Sequence, residues 1–161
     1  MSKTQFAYLA GGCFWCTEAM FRSLKGVTNV TSGYVQGAET VKIEFDPKVI
    51  SYPVLLDIFF HVHDPTSLNR QGNDVGLEYR SAIFYVEKKQ RQMAEAAKQQ
   101  LTDSKDFVSP LVTEIVPLEK FSFAEDYHQD YFEKNPANLY CQLVISPKLK
   151  HLRDKYSAKL K

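Results

Sequence analysis

The stretch TQFAYLAGGCFWCTEAMFRSLKG, residues 4–26, changes its hydrophobic period halfway along. Its first part, residues 4–10, reads as a short buried strand stopped by Gly11-Gly12. From Cys13 onward, Phe14, Trp15, Ala19, Met20 and Leu24 fall near helical spacing, and Gly26 ends the run. Glu18 and Arg22 stand four apart on that helix, a favourable pairing. A strand therefore turns directly into a helix, with two cysteines at the junction.

Working outward, residues 27–35 (VTNVTSGYV) are β-branched and predict a strand. Residues 40–45 (TVKIEF) alternate, with Val41, Ile43 and Phe45 on one face, before Asp46-Pro47 turns the chain. Ser51-Tyr52-Pro53 opens a helix whose stripe is Val54, Leu55, Ile58, Phe59 and Val62. Residues 64–79 have no period, and a loop of that length within a domain carries function or disorder. Residues 80–87 predict a strand, 88–103 a polar helix, 111–117 a strand and 124–134 a further helix. Ser146-Pro147 predicts the start of a last helix, Ser as N-cap and Pro at the first position. The order β-α-β-β-α-β-α-β predicts an α/β (α+β) two-layer sandwich, a mixed sheet on a ferredoxin-like β-α-β-β-α-β core. Without repeats or linker-like tracts, residues 1–161 are expected to form a single domain.

Composition excludes several classes. Twenty Lys and Arg against 19 Asp and Glu leave a net charge of +1, which offers nothing general to nucleic acid or an anionic membrane. No apolar run approaches the roughly 20 residues that span a bilayer. Near the start only Phe6 to Ala10 is apolar, too short for a signal-peptide core, so the expected compartment is the cytoplasm. The basic residues Lys148, Lys150, Arg153, Lys155, Lys159 and Lys161 read as the solvated face of an amphipathic helix.

Three cysteines are too few for a disulfide scaffold. Cys13 and Cys16 are spaced to share a helical face at a helix start, where unpaired N–H groups and the helix dipole favour thiolate. Buried inert thiols and a zinc site are the competing readings. Zinc would need four ligands, yet there is no second Cys pair, and no metal is expected. A redox or nucleophilic dithiol accounts for more: the glycines, the helix start and the CxxC spacing. Thioredoxin-like motifs carry Gly-Pro between the cysteines, whereas this one carries Phe14-Trp15. Those aromatics suit an apolar pocket for a methyl or thioether group, and equally suit core packing.

Gly12-Cys13-Phe14-Trp15 resembles the signature of the peptide methionine sulfoxide reductase A family. So do Gly37-Ala38-Glu39 with Val41 to Pro47; His63-Asp64-Pro65-Thr66 with Asn69 to Asp74 and Tyr79-Arg80-Ser81-Ala82-Ile83; and Ala124 to Gln129 with Asn135-Pro136 and Tyr140-Cys141. These blocks run in family order from residue 11 to 141. The resemblance implies reduction of the S-epimer of methionine sulfoxide, free and protein-bound. It implies Cys13 as nucleophile, Glu39 as acid, Tyr79 as phenolic donor, Asp74 as the residue orienting them, and Phe14 and Trp15 as the methyl pocket. Cys13 would end as sulfenic acid. A second thiol would resolve it, and thioredoxin would reduce the disulfide, with no other cofactor. The resolver is expected to be Cys16, with Cys141 as runner-up, because residues 135–147 lack the glycines of the family's mobile tails. The chain also lacks a longer family loop before Gly37 that carries a second substrate-site tyrosine, a place left to Tyr34 or another aromatic. A monomer is expected. Two other classes stand against this reading, a general CxxC disulfide oxidoreductase and a metal or interaction module. The oxidoreductase has no need of Glu39, Asp74 or Tyr79, and the metal module predicts stoichiometric zinc.

Overall fold

A computed structural model describes residues 3–161. Strand β1 (Gln5–Gly11) leads into α1 (Phe14–Arg22), then β2 (Val27–Val35), β3 (Ala38–Phe45) and α2 (Tyr52–Val62). The long connection that follows holds a small ribbon, β4 (Arg70–Gln71) with β5 (Asp74–Val75), and a 3-10 turn at Leu77–Tyr79. Next come β6 (Ser81–Tyr85), α3 (Lys88–Ser104), β7 (Glu114–Pro117), β8 (Ser122–Phe123), α4 (Tyr131–Lys134) and α5 (Ser146–Tyr156).

Six strands form one sheet in the order β7-β6-β1-β3-β2-β8. The four inner strands, β6-β1-β3-β2, are all antiparallel neighbours, and β7 joins β6 in parallel through the α3 crossover. The mixed sheet on a ferredoxin-like core is thus present. Period-2 alternation divides the faces. Ala7, Leu9, Val41, Ile43, Phe45 and Ile83 enter the main core with α1 and α2, while Ala10, Val35, Ala38, Ala82 and Phe84 form a smaller cluster. Strands β2 and β3 meet in a two-residue turn. Gln36 and Gly37 have φ of 49° and 78°, the pair of positive values that such a turn needs.

Ser51 caps α2 by accepting a hydrogen bond from Val54 N–H at 3.3 Å. Leu56 and Phe60 join the expected stripe in full burial, while Val54 is only partly covered, so α2 is packed over more of its circumference than a single stripe. Two expectations are corrected. Residues 124–134 are not one helix: a 3-10 turn at Asp126–His128 is separated from α4 by Asp130 in the left-handed region (φ 53°). Ser146 is not an N-cap. A π-helical turn at Cys141–Ile145 runs straight into α5, and the Ser146 hydroxyl donates back to the Cys141 carbonyl at 3.1 Å. Pro147 is tolerated there because the π turn already interrupts the regular ladder. The basic side chains of α5 do face solvent, Lys148 excepted, which is half-buried.

His63, at the end of α2, is buried and closes a chain of hydrogen bonds. Its Nδ1–H donates to the Phe59 carbonyl at 2.5 Å, and Nε2 accepts from Ser81, whose hydroxyl stands 2.7 Å from that of Thr113. Burial holds its pKa down at about 4, against 6.5 for an ordinary imidazole. Between those values the unfolded chain binds the proton that the folded one refuses, so stability is lost as pH falls from about 6.5 to about 4. The expected loss is on the order of 3 kcal/mol. Urea unfolding of wild type and His63→Gln across this range checks it: the wild-type midpoint should fall with pH and that of the variant should fall less steeply.

Candidate active site

Cys13 caps α1 from the end of β1. Its carbonyl accepts from the N–H groups of Cys16 and Thr17 at 3.1 and 3.3 Å and from the Thr17 hydroxyl at 3.2 Å, so helix formation begins at this residue. Gly12 precedes it at φ +95°, and a Cβ there would lie 2.6 Å from Gln71 Cγ. Glycine is needed on both counts. Gln71 is fixed in turn by the Asp64 backbone, accepting from its N–H at 2.8 Å and donating to its carbonyl at 3.0 Å. The ribbon of the long connection is thereby closed down on the start of α1.

Glu39 shares the side of β3 that carries Val41 and Ile43, facing the helix layer. The N–H of Phe14, the first residue of α1, donates to Glu39 Oε1 at 3.1 Å. Burial pushes this carboxyl up to about 7, helped by the negative charges of Asp74 and Glu78 and opposed by the Phe14 N–H. A carboxyl beside Cys13 therefore titrates near neutrality and is protonated below it. Tyr34 is the cross-strand partner of Glu39, and its ring lies 5.4 Å from that of Phe14. Tyr79 ends the 3-10 turn; burial, with the charges of Glu39 and Asp74, raises its phenol to about 12, so it remains a donor.

Cys13 and Cys16 act on one another. The hydrogen bond with Cys13 draws the Cys16 thiol down to about 7 against burial, assisted by the Lys148 charge and Tyr140. The same contact, reinforced by burial, pushes Cys13 up. Of the pair, one proton leaves near neutrality and the other is held. Tyr140 touches Cys16 Sγ at 3.7 Å and donates its hydroxyl to Asp74 Oδ2 at 2.8 Å.

An aromatic wall completes the surroundings. Trp15 stacks on Tyr131 with ring centres 3.7 Å apart and planes 5° apart, and Tyr140 meets it edge-on at 5.7 Å. Its indole N–H donates to His128 Nδ1 at 3.1 Å, and His128 packs on Phe14 at 5.2 Å.

The family model described as peptide methionine sulfoxide reductase matches residues 5–39 and 36–160. The MsrA peptide methionine sulfoxide reductase of Deinococcus radiodurans is 48% identical over 172 residues, covering 96% of this chain and 84% of that protein. The chain belongs to the peptide methionine sulfoxide reductase A family. It is an enzyme, an oxidoreductase that reduces methionine sulfoxide. Among solved structures, reduced Mxr1 of Saccharomyces cerevisiae superposes with a TM-score of 0.81 at 32% identity, covering 86% of this chain and 90% of that one. Mxr1 in complex with Trx2 gives 0.64 at 29% identity, covering 80% and 85%.

In this reductase Cys13, Cys16, Glu39, Phe14 and Trp15 converge at the start of α1, and Asp74 joins Cys16 through Tyr140. Cys141 is wholly buried in the turn leading to α5, and that burial, with the negative charge of Cys16, raises its thiol. Three contributors were not assigned from the sequence: Tyr131, His128 and Tyr140. Each lies in the late segment whose path to the site depends on the irregular turns between β8 and α5. Among the described residues, no three His, Cys, Asp or Glu side chains group so as to hold a metal ion, and no helix is long and apolar enough to cross a membrane.

Proposed function

We propose that this reductase acts on the S-epimer of methionine sulfoxide, free or protein-bound, through a sulfenic acid on Cys13. The observation that carries the reading is the hydrogen bond from Phe14 N–H to Glu39 Oε1, 3.1 Å, which ties a proton-bearing carboxyl to the residue beside the nucleophile. Cys13 Sγ attacks the sulfoxide sulfur as the anion of the pair, and the proton that the pair retains rests on Cys16. Glu39 protonates the sulfoxide oxygen as charge develops on it, and Tyr79 donates a second hydrogen bond. Methionine leaves, and the hydroxyl ends on Cys13 as sulfenic acid. Phe14 and Trp15 receive the S-methyl group. Because Trp15 is held by Tyr131 and His128, the methyl site has a fixed shape, and a fixed methyl site together with a fixed proton donor selects one sulfur configuration.

Cys16 then attacks Cys13 Sγ, forming the disulfide and releasing water, and a thioredoxin-type dithiol restores both thiols. The Mxr1–Trx2 complex supports that reductant class. No further cofactor is needed, since every electron comes from thiols. The chain is read as a single-domain cytoplasmic monomer. Incubating the protein with dithiothreitol and each epimer separately tests the reading: the S-epimer should be converted to methionine and the R-epimer left intact. Conversion of the R-epimer at a comparable rate would overturn it.

A further inference from the structure

The Tyr140 hydroxyl stands between two groups of the site and has a single proton. That proton is committed to Asp74 Oδ2, 2.8 Å away, so the oxygen's lone pairs are what face Cys16 Sγ at 3.7 Å. A protonated Cys16 is therefore the donor in that contact. The ring is held by its edge-on packing against Trp15, and the Tyr140 N–H donates to Asn138 Oδ1 at 2.9 Å. We propose that Tyr140 is the proton relay of the resolving step, taking the Cys16 proton and passing its own to Asp74, which returns it to the hydroxyl leaving Cys13.

The inference rests on Cys16 as resolver and deepens that reading. The relay closes the balance: the Cys16 S–H bond breaks, the S–S bond forms as the Cys13 S–O bond breaks, and the hydroxyl leaves with one proton as water. Cys16 is the sulfur oxidised, and Cys13 is the sulfur that accepts its electrons. The need for a relay follows from the first half-reaction. The Cys13 thiol, which does most to favour the charged form of Cys16, has by then become S–OH. Burial then opposes ionisation, and of the remaining groups facing Cys16, Asp74 also opposes it while Lys148 and Tyr140 favour it. Of these, Tyr140 alone is shown in contact with the sulfur and has a proton acceptor behind it.

The test follows one turnover of the full chain by rapid quench, measuring methionine release and thiol loss separately, with no reductant present. Tyr140→Phe keeps the ring against Trp15. It should slow disulfide formation on the order of a hundredfold at neutral pH, with a far smaller effect on methionine release. Sulfenic acid should accumulate, trappable by dimedone, and the rate should recover steeply with rising pH while the wild-type rate changes less. Disulfide formation at the wild-type rate, or slowed equally at every pH, would overturn the relay. In wild type the same step should show a curved proton inventory in mixtures of light and heavy water; a linear one overturns the proposal without recourse to any variant. A Cys16→Ser control separates the two claims: if it still forms a disulfide, the choice of resolver has failed and the relay with it.

Discussion

Glu39→Gln should lower the rate of methionine formation by about two to four orders of magnitude, the usual worth of a positioned general acid. Glutamine keeps an oxygen to accept the Phe14 N–H and fills the same space, so the loss is that of the proton rather than of the fold. The pH profile carries the sharper statement. Glu39 must be protonated and titrates at about 7, so the first step weakens as pH rises through that value. One proton must leave the Cys13–Cys16 pair, the first also at about 7, so the step weakens as pH falls through it. The wild-type profile should therefore be a narrow bell centred near neutrality. In Glu39→Gln the alkaline limb should vanish and leave a low rate that rises with pH to a plateau. Stopped-flow single turnovers from pH 5.5 to 9 check this. An unchanged alkaline limb in the variant would place that ionisation elsewhere.

The second large effect separates the thiols. Cys13→Ser should form no methionine at all, since a hydroxyl at that position lacks both the nucleophilicity and the electrons for sulfoxide reduction. Cys16→Ser should yield one methionine per enzyme and stop, its Cys13 left as sulfenic acid, when thioredoxin is the only reductant. Cys141→Ser should turn over continuously. Mass mapping after one turnover of wild type should find the Cys13–Cys16 bond. Sustained turnover by Cys16→Ser together with failure of Cys141→Ser would transfer the resolving role to Cys141.

The inner sheet was legible because its strands carry their faces in their own alternation: Val41, Ile43 and Phe45 declare one side of β3, and Glu39 belongs to the same parity. The start of α1 was equally plain from Gly12-Cys13. What the residues did not disclose lies where local preference and tertiary packing disagree. Ser146-Pro147 has the composition of a helix start, yet burial of Cys141 and Ile145 pulls the preceding turn into the same rod. Residues 124–134 have helical aromatic spacing, yet those rings serve the site: Tyr131 stacks under Trp15, and His128 accepts the hydrogen bond of its indole N–H. The thiol pair shows the same limit, because spacing revealed the proximity of Cys13 and Cys16 but not that burial and mutual contact make them share one ionisation.

The continuous turn through Cys141–Ile145 into α5 bears on how the molecule withstands its own work. Cys141 and Ile145 are wholly enclosed, and Leu152 is sealed a few turns on. Any movement of this turn that drew those side chains out of the interior would expose backbone that a protease could cut. With both working thiols inside one turn of α1, the proposed cycle asks for no such excursion. Oxidised and reduced forms would then present the same outline to the cell's degradation machinery, and a repair enzyme that spends its life among oxidants would not be marked for removal each time it did its task.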